Sequence, residues 1–309
     1  MKTLKSMMLA MLVGSALAAP AFAAEVKAVA TFSILGDIVA RVGGERVAVT
    51  TIVGPNADTH VYEPKPSDAV AVSQADVLFV NGLGFEGWLD RFVQSSGFSG
   101  PVVVASDGVK THEMAEEEEH SGEAEHEHGH DHGATDPHAW QSLKNGLLYV
   151  KNVAAGLCAV DAEGCVTYEA NAAAYSAEIS ALDDQLIADI AAVPENKRQV
   201  ITTHDAFSYF GEEYGVTFLA PEGISTDSEA SAADVAKLIT QIKADGVTAL
   251  FIENMSDGRL VQQIADETGV KVGGELYADA LSEPGQGAAS YLDMFKHNIG
   301  LLVPAMLGK

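Results

Sequence analysis

Cysteine is nearly absent from this sequence: Cys158 and Cys165 are the only two among 309 residues. A zinc site built from thiolates alone needs more sulfur than this. In an oxidising compartment, a close pair of cysteines is more typical of a disulfide than of a metal site. We therefore predict a disulfide between them, on a connection between two helices, and rank a redox role second.

Basic residues are also scarce: 18 Lys and Arg stand against 44 Asp and Glu, which gives a formal net charge of -26. A surface this acidic repels the phosphates of nucleic acids and of anionic membranes. The composition therefore argues against a nucleic-acid partner and favours a cation as cargo.

Long apolar runs are missing beyond the N-terminus, since no later stretch reaches the roughly 18 to 20 apolar residues of a membrane helix. The first residues contain Lys2 and Lys5, an apolar run at 7–18 and a small-x-small pattern at Ala21-Phe22-Ala23. This pattern predicts a secretory signal peptide at 1–23 that is removed. Because no cysteine stands near the predicted cut, we expect a soluble periplasmic protein with no lipid anchor.

Apolar, β-branched segments alternate with helical patterns through the rest of the chain. This alternation is typical of a mostly parallel sheet covered by helices on both faces. It occurs twice, with strands predicted at 26–31, 47–53, 77–80 and 102–104, and again at 199–202, 216–219, 249–252 and 271–273. We predict an α/β fold of two lobes, an N-terminal lobe at 24–164 and a C-terminal lobe at 194–309, each with a mostly parallel sheet.

A long helix is predicted between the lobes, at 165–193. Its apolar residues recur at spacings of three and four and so share one face: Tyr175, Ile179, Leu182, Leu186 and Ile190. Pro194 ends the pattern. A helix of about 26 residues extends for about 40 Å, so a single rigid helix is expected to join the two lobes.

Histidine is concentrated at 112–132, which holds six of the ten histidines in the chain. The segment is rich in acids and glycine, and such a polar segment cannot bury a core. We expect a mobile loop in the N-terminal lobe that gives auxiliary metal capture, because imidazole is a good zinc ligand. A merely solvated acidic loop is the alternative. The candidate residues are His112, His120, His126, His128, His130 and His132.

Four other residues are candidates for a precise metal site: His60, His138, His204 and Asp279. They follow predicted strands, and ligands of open parallel sheets bind beyond the carboxyl ends of the strands. Two lie in each lobe, so a shared site would occupy the cleft between the lobes. Three imidazoles and one carboxylate form a closed tetrahedral set suited to zinc. A single loop histidine is more often a surface group, and only the joint placement supports the site.

Five segments around these residues carry a resemblance to a known family: Asp58-Thr59-His60-Val61-Tyr62-Glu63-Pro64, Asn81-Gly82-Leu83-Gly84-Phe85-Glu86, Asp136-Pro137-His138-Ala139-Trp140, Thr203-His204-Asp205-Ala206-Phe207 and the segment of Asp279. As a set, they resemble the metal-binding subunits of ABC transporters for zinc and manganese. These are the cluster A-I (cluster 9) solute-binding proteins, which include the ZnuA, TroA and AztC types. The resemblance covers almost the whole mature chain.

The resemblance implies two α/β lobes joined by one rigid helix, with the metal between them. It assigns ligand roles to His60 and His138 in the first lobe and to His204 and Asp279 in the second. Members that prefer manganese tend to carry a carboxylate at the position of His204, so the imidazole here favours zinc. Nearby acids are candidates to orient the metal-bound imidazoles: Asp58, Glu63, Asp136 and Asp205.

The sequence thus predicts a zinc-binding subunit of an ABC importer, a monomer without catalytic activity that captures Zn²⁺ and delivers it to an inner-membrane permease. A periplasmic zinc chaperone is a further candidate partner. Two alternatives are a zinc buffer or chaperone without a permease, in which the His-rich segment would be the main store, and a zinc hydrolase with an open coordination position. The hydrolase has little support, since the alternating histidines lack the spacing of a metallo-β-lactamase site.

Overall fold

Two parallel sheets of four strands each organise the molecule in the computed structural model, which describes residues 25–112, 135–228, 230–247 and 249–309. The predicted signal peptide lies outside these residues. So do five histidines of the His-rich segment: His120, His126, His128, His130 and His132.

The first sheet has the strand order β2-β1-β3-β4, and every pairing in it is parallel. Its inner strands are apolar along their length because helices cover both faces of a parallel sheet. The strands are β1 (Val26–Phe32), β2 (Val47–Val53), β3 (Val77–Val80) and β4 (Val102–Val104). The helices of this half are α1 (Ser33–Gly43), α2 (Pro66–Ser73), α3 (Leu89–Ser96) and α4 (Leu143–Val160).

A single helix, α5 (Cys165–Ala191), leads from this half to the next. It has 27 residues, and the five apolar residues of its predicted stripe are all buried. Its packing partners include α4, α1 and the C-terminal helix, so it touches both halves of the molecule. As predicted, Cys158 at the end of α4 forms a disulfide with Cys165 at the start of α5. The predicted boundaries of the lobes, at 164 and 194, stay a prediction.

The second sheet repeats the arrangement of the first, with the order β6-β5-β7-β8 and parallel pairing throughout. The strands are β5 (Gln199–Ile201), β6 (Thr217–Leu219), β7 (Ala249–Glu253) and β8 (Lys271–Leu276). The helices are α6 (Ser208–Tyr214), α7 (Ala232–Asp245), α8 (Arg259–Thr268) and α9 (Tyr291–Met306). The predicted α/β fold of two lobes with parallel sheets is confirmed.

The sequence pattern at 86–94 predicts a helix that begins at Glu86, but helix α3 begins at Leu89. The side chain of Glu86 explains the difference, because its carboxylate turns back to accept hydrogen bonds from the backbone N–H groups of Asn81 and Gly82. The hydroxyl of Thr31 donates to the same carboxylate. These bonds fold residues 81–86 into a tight loop, so the helix starts only after it.

One hydrophobic core contains buried residues of both halves, from Val26 in β1 to Met306 in α9. Trp140, Phe32 and Phe85 pack against one another in it. A smaller core lies between the second sheet and helices α7 and α8. Within the described residues, none of the helices is both long and apolar enough to cross a membrane.

Candidate metal centre

The four candidate ligands converge between the two sheets. His60 lies in the loop after β2, His138 precedes a short 3-10 turn (Ala139–Gln141), His204 follows β5 and Asp279 follows β8. One ligand atom from each lies within 4.8 Å of those from the other three. His138, His204 and Asp279 are completely buried. The carboxyl ends of parallel strands therefore bring four side chains, distant in sequence, to one point.

The separations within the group are short. His60 Nε2 lies 3.3 Å from His138 Nε2. The carboxylate of Asp279 faces all three rings: Oδ2 is 3.4 Å from His60 Nε2 and 3.2 Å from His204 Nε2, and Oδ1 is 3.6 Å from His138 Nε2. Both carboxylate oxygens and His204 Nε2 are buried without a hydrogen-bond partner in the described part of the chain. Buried polar atoms normally have partners, so a cation bound among them would supply what these atoms lack.

His138 is oriented by its neighbour Asp136. Oδ1 of Asp136 accepts hydrogen bonds from the backbone N–H of His138 at 2.9 Å and from its Nδ1 at 2.8 Å. A ring that donates from Nδ1 keeps its lone pair on Nε2, the atom that faces the other candidates. The hydroxyl of Tyr209 donates to the carbonyl of Asp136 and fixes the turn from the other lobe.

His204 is oriented in the same way by Glu253, the last residue of β7. Oε1 of Glu253 accepts hydrogen bonds from the backbone N–H groups of Thr203 and His204, while Oε2 contacts His204 Nδ1. Glu253 was not predicted from the sequence because it is distant from His204 along the chain. The sequence feature that could have indicated Glu253 is its place as an acidic residue at the end of an apolar strand, Ala249–Glu253.

The other three predicted acids have different roles. Asp58 accepts a hydrogen bond from the backbone N–H of His60, not from its ring, and a second from the hydroxyl of Thr226 in the other lobe. Asp205 accepts from the hydroxyl of Ser208, and Glu63 is exposed. Only Asp136 contacts an imidazole as predicted.

His60 is the candidate ligand nearest to solvent. Its ring packs edge-on against Phe85. It also lines a cavity of about 460 Å³ together with Leu83, Pro137 and Ile224. The other three candidates are completely buried, and none of them is among the residues that line this cavity.

The electrostatics of the cluster suit a cation. Burial alone would raise the pKa of Asp279, but attraction to His204 and His138 holds it well below the usual range. Burial would lower the pKa of His204, yet Glu253 and Asp279 together raise it well above the usual value. Asp279 is therefore ionised, and the region attracts positive charge, whether a proton on His204 or a metal ion.

The remaining described histidines and the two cysteines lie outside this cluster. His112 is at the surface, where its Nε2 lies 2.7 Å from Glu212 Oε2 and its ring packs edge-on against Tyr209. It does not join the buried cluster. His297 lies on α9, with Nε2 2.9 Å from the carbonyl of Glu275. Cys158 and Cys165 form the disulfide described above.

The chain matches a family model described as "ZnuA: Zinc-uptake complex component A periplasmic" over residues 28–305. It is 34% identical over 280 residues to a manganese-binding lipoprotein, MntA, of Halalkalibacterium halodurans, a match that covers 91% of this chain and 88% of the relative. It is 31% identical over 281 residues to an iron ABC transporter substrate-binding lipoprotein, MtsA, of Streptococcus pyogenes. That match covers 89% of this chain and 87% of the relative.

Solved structures show the same fold. The periplasmic zinc-binding protein TroA of Treponema pallidum superposes with a TM-score of 0.83 at 28% identity, over 91% of this chain and 99% of that one. The manganese-bound periplasmic metal-binding protein of Candidatus Liberibacter asiaticus has a TM-score of 0.79 at 27% identity, over 91% of this chain and 100% of that one.

The relatives correct one expectation. The matches from Halalkalibacterium halodurans, Streptococcus parasanguinis and Streptococcus pyogenes are all named lipoproteins. Attached lipid holds a protein at a membrane surface. The expectation of a soluble periplasmic protein with no lipid anchor is therefore wrong, because it rested only on the lack of a cysteine near the predicted cut.

Fold, family and relatives agree on one class of protein. Substrate-binding proteins of ABC transporters bind a solute and work with a membrane permease, and they are not enzymes. This chain belongs to the ZnuA family and is a metal-binding substrate-binding protein of an ABC transporter.

Proposed function

We propose that this chain is the zinc-binding subunit of an ABC importer, which captures Zn²⁺ and passes it to the permease, and that His60, His138, His204 and Asp279 bind the ion. The observation that carries the proposal is the convergence of three imidazole nitrogens and one carboxylate on one point. Imidazole suits zinc, whereas manganese prefers carboxylate and carbonyl oxygen.

The separations also support four-coordinate zinc. Bonds of about 2.0 to 2.1 Å in a tetrahedral site place neighbouring ligand atoms roughly 3.3 to 3.4 Å apart. The distances from Asp279 Oδ2 to His60 and His204 are 3.4 and 3.2 Å, and the distance between His60 and His138 is 3.3 Å. Three of the six separations among the four ligand atoms therefore already have the length that tetrahedral zinc requires, and the distance from Asp279 Oδ1 to His138 Nε2 is slightly longer, at 3.6 Å.

The carboxylates behind two of the rings strengthen the proposal. A carboxylate on Nδ1 makes the opposite nitrogen a stronger donor and holds the ring in place. Asp136 does this for His138, and Glu253 does it for His204. Rings held in this way favour an ion that accepts a fixed tetrahedral geometry.

Two of the relatives are named for manganese and for iron, so the test must separate the metals. Metal-free protein is titrated with Zn²⁺ and Mn²⁺ in competition with a chelator. We expect one tight zinc site per chain, weaker manganese binding, and loss of the tight site in His204→Ala. His297→Ala is the matched control, because it removes an imidazole outside the cluster. Preference for manganese, or unchanged zinc affinity in His204→Ala, would contradict the proposal.

The histidines of the His-rich segment remain proposed auxiliary ligands, and a second titration isolates them. Residues 113–134 are replaced by a short Gly-Ser linker, since His112 and Asp136 are already joined by a backbone hydrogen bond of 3.2 Å. We expect the tight site to survive and only weak additional binding to disappear. Loss of the tight site would instead support a buffer in which the segment is the main store.

A further inference from the structure

The turn that carries His138 also holds the peptide group next to Asp279. Two donors from this turn, Trp140 Nε1 at 2.9 Å and Gln141 Nε2 at 2.7 Å, bond the carbonyl oxygen of Ala278. His138, Trp140, Gln141, Ala278 and Asp279 are all completely buried. A carbonyl oxygen accepts two hydrogen bonds, so both acceptor positions of Ala278 are filled from the opposite lobe.

We propose that Trp140 and Gln141 are positioning residues for Asp279, which set its carboxylate against His138 by holding the Ala278 carbonyl. The inference rests on the proposed ligand set and adds a reason for its geometry. His138 and Asp279 come from different lobes. The short turn at 138–141 carries His138 and also supplies the two donors that hold the peptide group before Asp279. Their relative position therefore does not depend on the long path through α5.

Hydrogen bonds of Leu281, on the C-terminal side of Asp279, also tie this segment to the N-terminal half. The backbone N–H of Leu281 donates to Ser33 Oγ at 2.9 Å, and the backbone N–H of Asn56 donates to the carbonyl of Leu281 at 2.9 Å. Both partners belong to the N-terminal half. The segment 278–281 is thus held on each side of the carboxylate by the lobe that carries His60 and His138.

The C-terminal half fixes the turn itself. The hydroxyl of Tyr291, on α9, donates to the carbonyl of Trp140 at 2.6 Å. The indole ring of Trp140 packs against both Phe32 and Phe85 of the N-terminal half. With its ring and its carbonyl both fixed, Trp140 presents its N–H to Ala278 from a rigid support.

Gln141 has a feature that separates positioning from simple stability. Its Oε1 is buried without a hydrogen-bond partner among the described residues, and such an acceptor costs free energy of folding. Leucine has nearly the volume of glutamine and no polar atom. Gln141→Leu therefore removes the unpartnered oxygen together with the donor to Ala278, so the melting temperature should stay the same or rise while the support of Asp279 is lost.

The experiment compares Gln141→Leu and Trp140→Phe with the parent chain. Zinc affinity is measured in competition with a chelator strong enough to strip weak sites, Co²⁺ replaces zinc for visible absorption, and the metal-free proteins are melted. We expect zinc affinity to fall about tenfold in each variant, as for other groups that orient a ligand. The intense absorption of four-coordinate Co²⁺ should weaken as the carboxylate shifts.

Two further variants make the result decisive. Asn152→Leu removes another side-chain amide that bonds loop carbonyls, those of Ala105 and Asp107, away from the cluster. It should lower the melting temperature and leave affinity and spectrum unchanged. Asp279→Ala tests the ligand itself and should weaken binding more than either positioning variant.

The outcomes are distinct. Parental affinity and spectrum in Gln141→Leu and Trp140→Phe, with weakened binding in Asp279→Ala, would overturn this inference alone. Equal losses of affinity in Gln141→Leu and Asn152→Leu would also overturn it, because the effect would then be general. Unchanged binding in Asp279→Ala would remove the proposed ligand set and this inference with it.

Discussion

Glu253 contacts two nitrogen atoms of His204. One carboxylate oxygen accepts a hydrogen bond from the backbone N–H of His204 at 3.1 Å, and the other contacts His204 Nδ1. The two residues are 49 positions apart in sequence. They meet because the neighbouring parallel strands β5 and β7 end at the same edge of the sheet. This pair fixes the one imidazole that the C-terminal lobe contributes to the cluster.

Replacing Glu253 with glutamine should lower zinc affinity by about 10- to 100-fold, because the ring loses the negative charge that orients it and increases its basicity. Competition with a chelator measures the change. Glu212→Gln is the matched control, since it removes an acid that pairs with the surface residue His112. Unchanged affinity in Glu253→Gln would show that the contact with Nδ1 is not important for binding.

Zinc binding should strengthen as the pH rises. Burial lowers the pKa of His204, but Glu253 and Asp279 raise it more, to well above the usual value. Since metal binds the neutral ring, zinc must displace a proton from His204, and that competition weakens only as the pH approaches the raised pKa. Affinity should therefore keep increasing above about pH 6.5, the usual histidine pKa.

Calorimetry in buffers with different ionisation enthalpies measures the same proton directly, as its release on zinc binding at pH 7. In Glu253→Gln the rise in affinity should move to lower pH, because one of the two charges that raise the pKa is gone. An affinity that is already constant at the usual histidine pKa would refute the expectation.

Metal preference should respond to the donor at position 204. Oxygen in place of nitrogen favours manganese relative to zinc, but a new carboxylate would be repelled by Glu253. The test is therefore the double variant His204→Asp with Glu253→Gln, in which the glutamine amide can donate to the new acid. The ratio of manganese to zinc affinity should increase relative to the parent.

His204→Ala with Glu253→Gln is the control for that variant, since it has the same second substitution and no donor at position 204. It should bind both metals weakly. If the aspartate variant behaves like this control, the selectivity does not depend on the donor atom at this position.

The disulfide should contribute to stability and not to metal binding. Closing a loop of about eight residues contributes about 2 to 3 kcal/mol in the chain-entropy model. Cys158→Ser with Cys165→Ser should lose about this amount in denaturant unfolding of the metal-free protein. The bond lies on the connection from α4 to α5, away from the ligand cluster, so zinc affinity should match the parent. A large loss of affinity would indicate that α5 transmits strain to the cluster.

Sequence patterns predicted much of the fold. Buried parallel strands are apolar along their length because both faces are covered, and so strands such as β3 and β7 were visible as short apolar runs. Strand β8 was predicted only over 271–273, because it continues through Gly274 and the exposed Glu275. The stripe of α5 was visible because one helix face packs on both lobes. The bounds of helix α4 were not predicted, although its buried residues recur at helical spacing from Leu143 to Leu157. Its buried face includes Gly146 and Gly156, and glycine is unfavourable inside a helix, so the local pattern did not mark the element clearly.

The candidate ligands could be proposed from sequence because each follows a strand, and strand ends of a parallel sheet meet at one edge. The groups that orient them were less predictable. Asp136 is two residues from His138 and was found, whereas Glu253 comes from another strand and was missed. Asp58 precedes His60 by two residues, as Asp136 precedes His138, yet it accepts from the backbone N–H of His60 and from Thr226 and does not bond the imidazole. Sequence proximity therefore did not determine which acid contacts a ring.

By itself, the sequence determined the two α/β lobes, the long helix, the disulfide and the identity of four candidate ligands, because these depend on local periodicity, spacing and residue chemistry. Only the tertiary structure decided that Glu253 orients His204, that His60 lies beside the open cavity, and that Trp140 and Gln141 hold the peptide before Asp279. These contacts join residues that are distant along the chain. Their geometry depends on how strands and loops pack together, which no local pattern encodes.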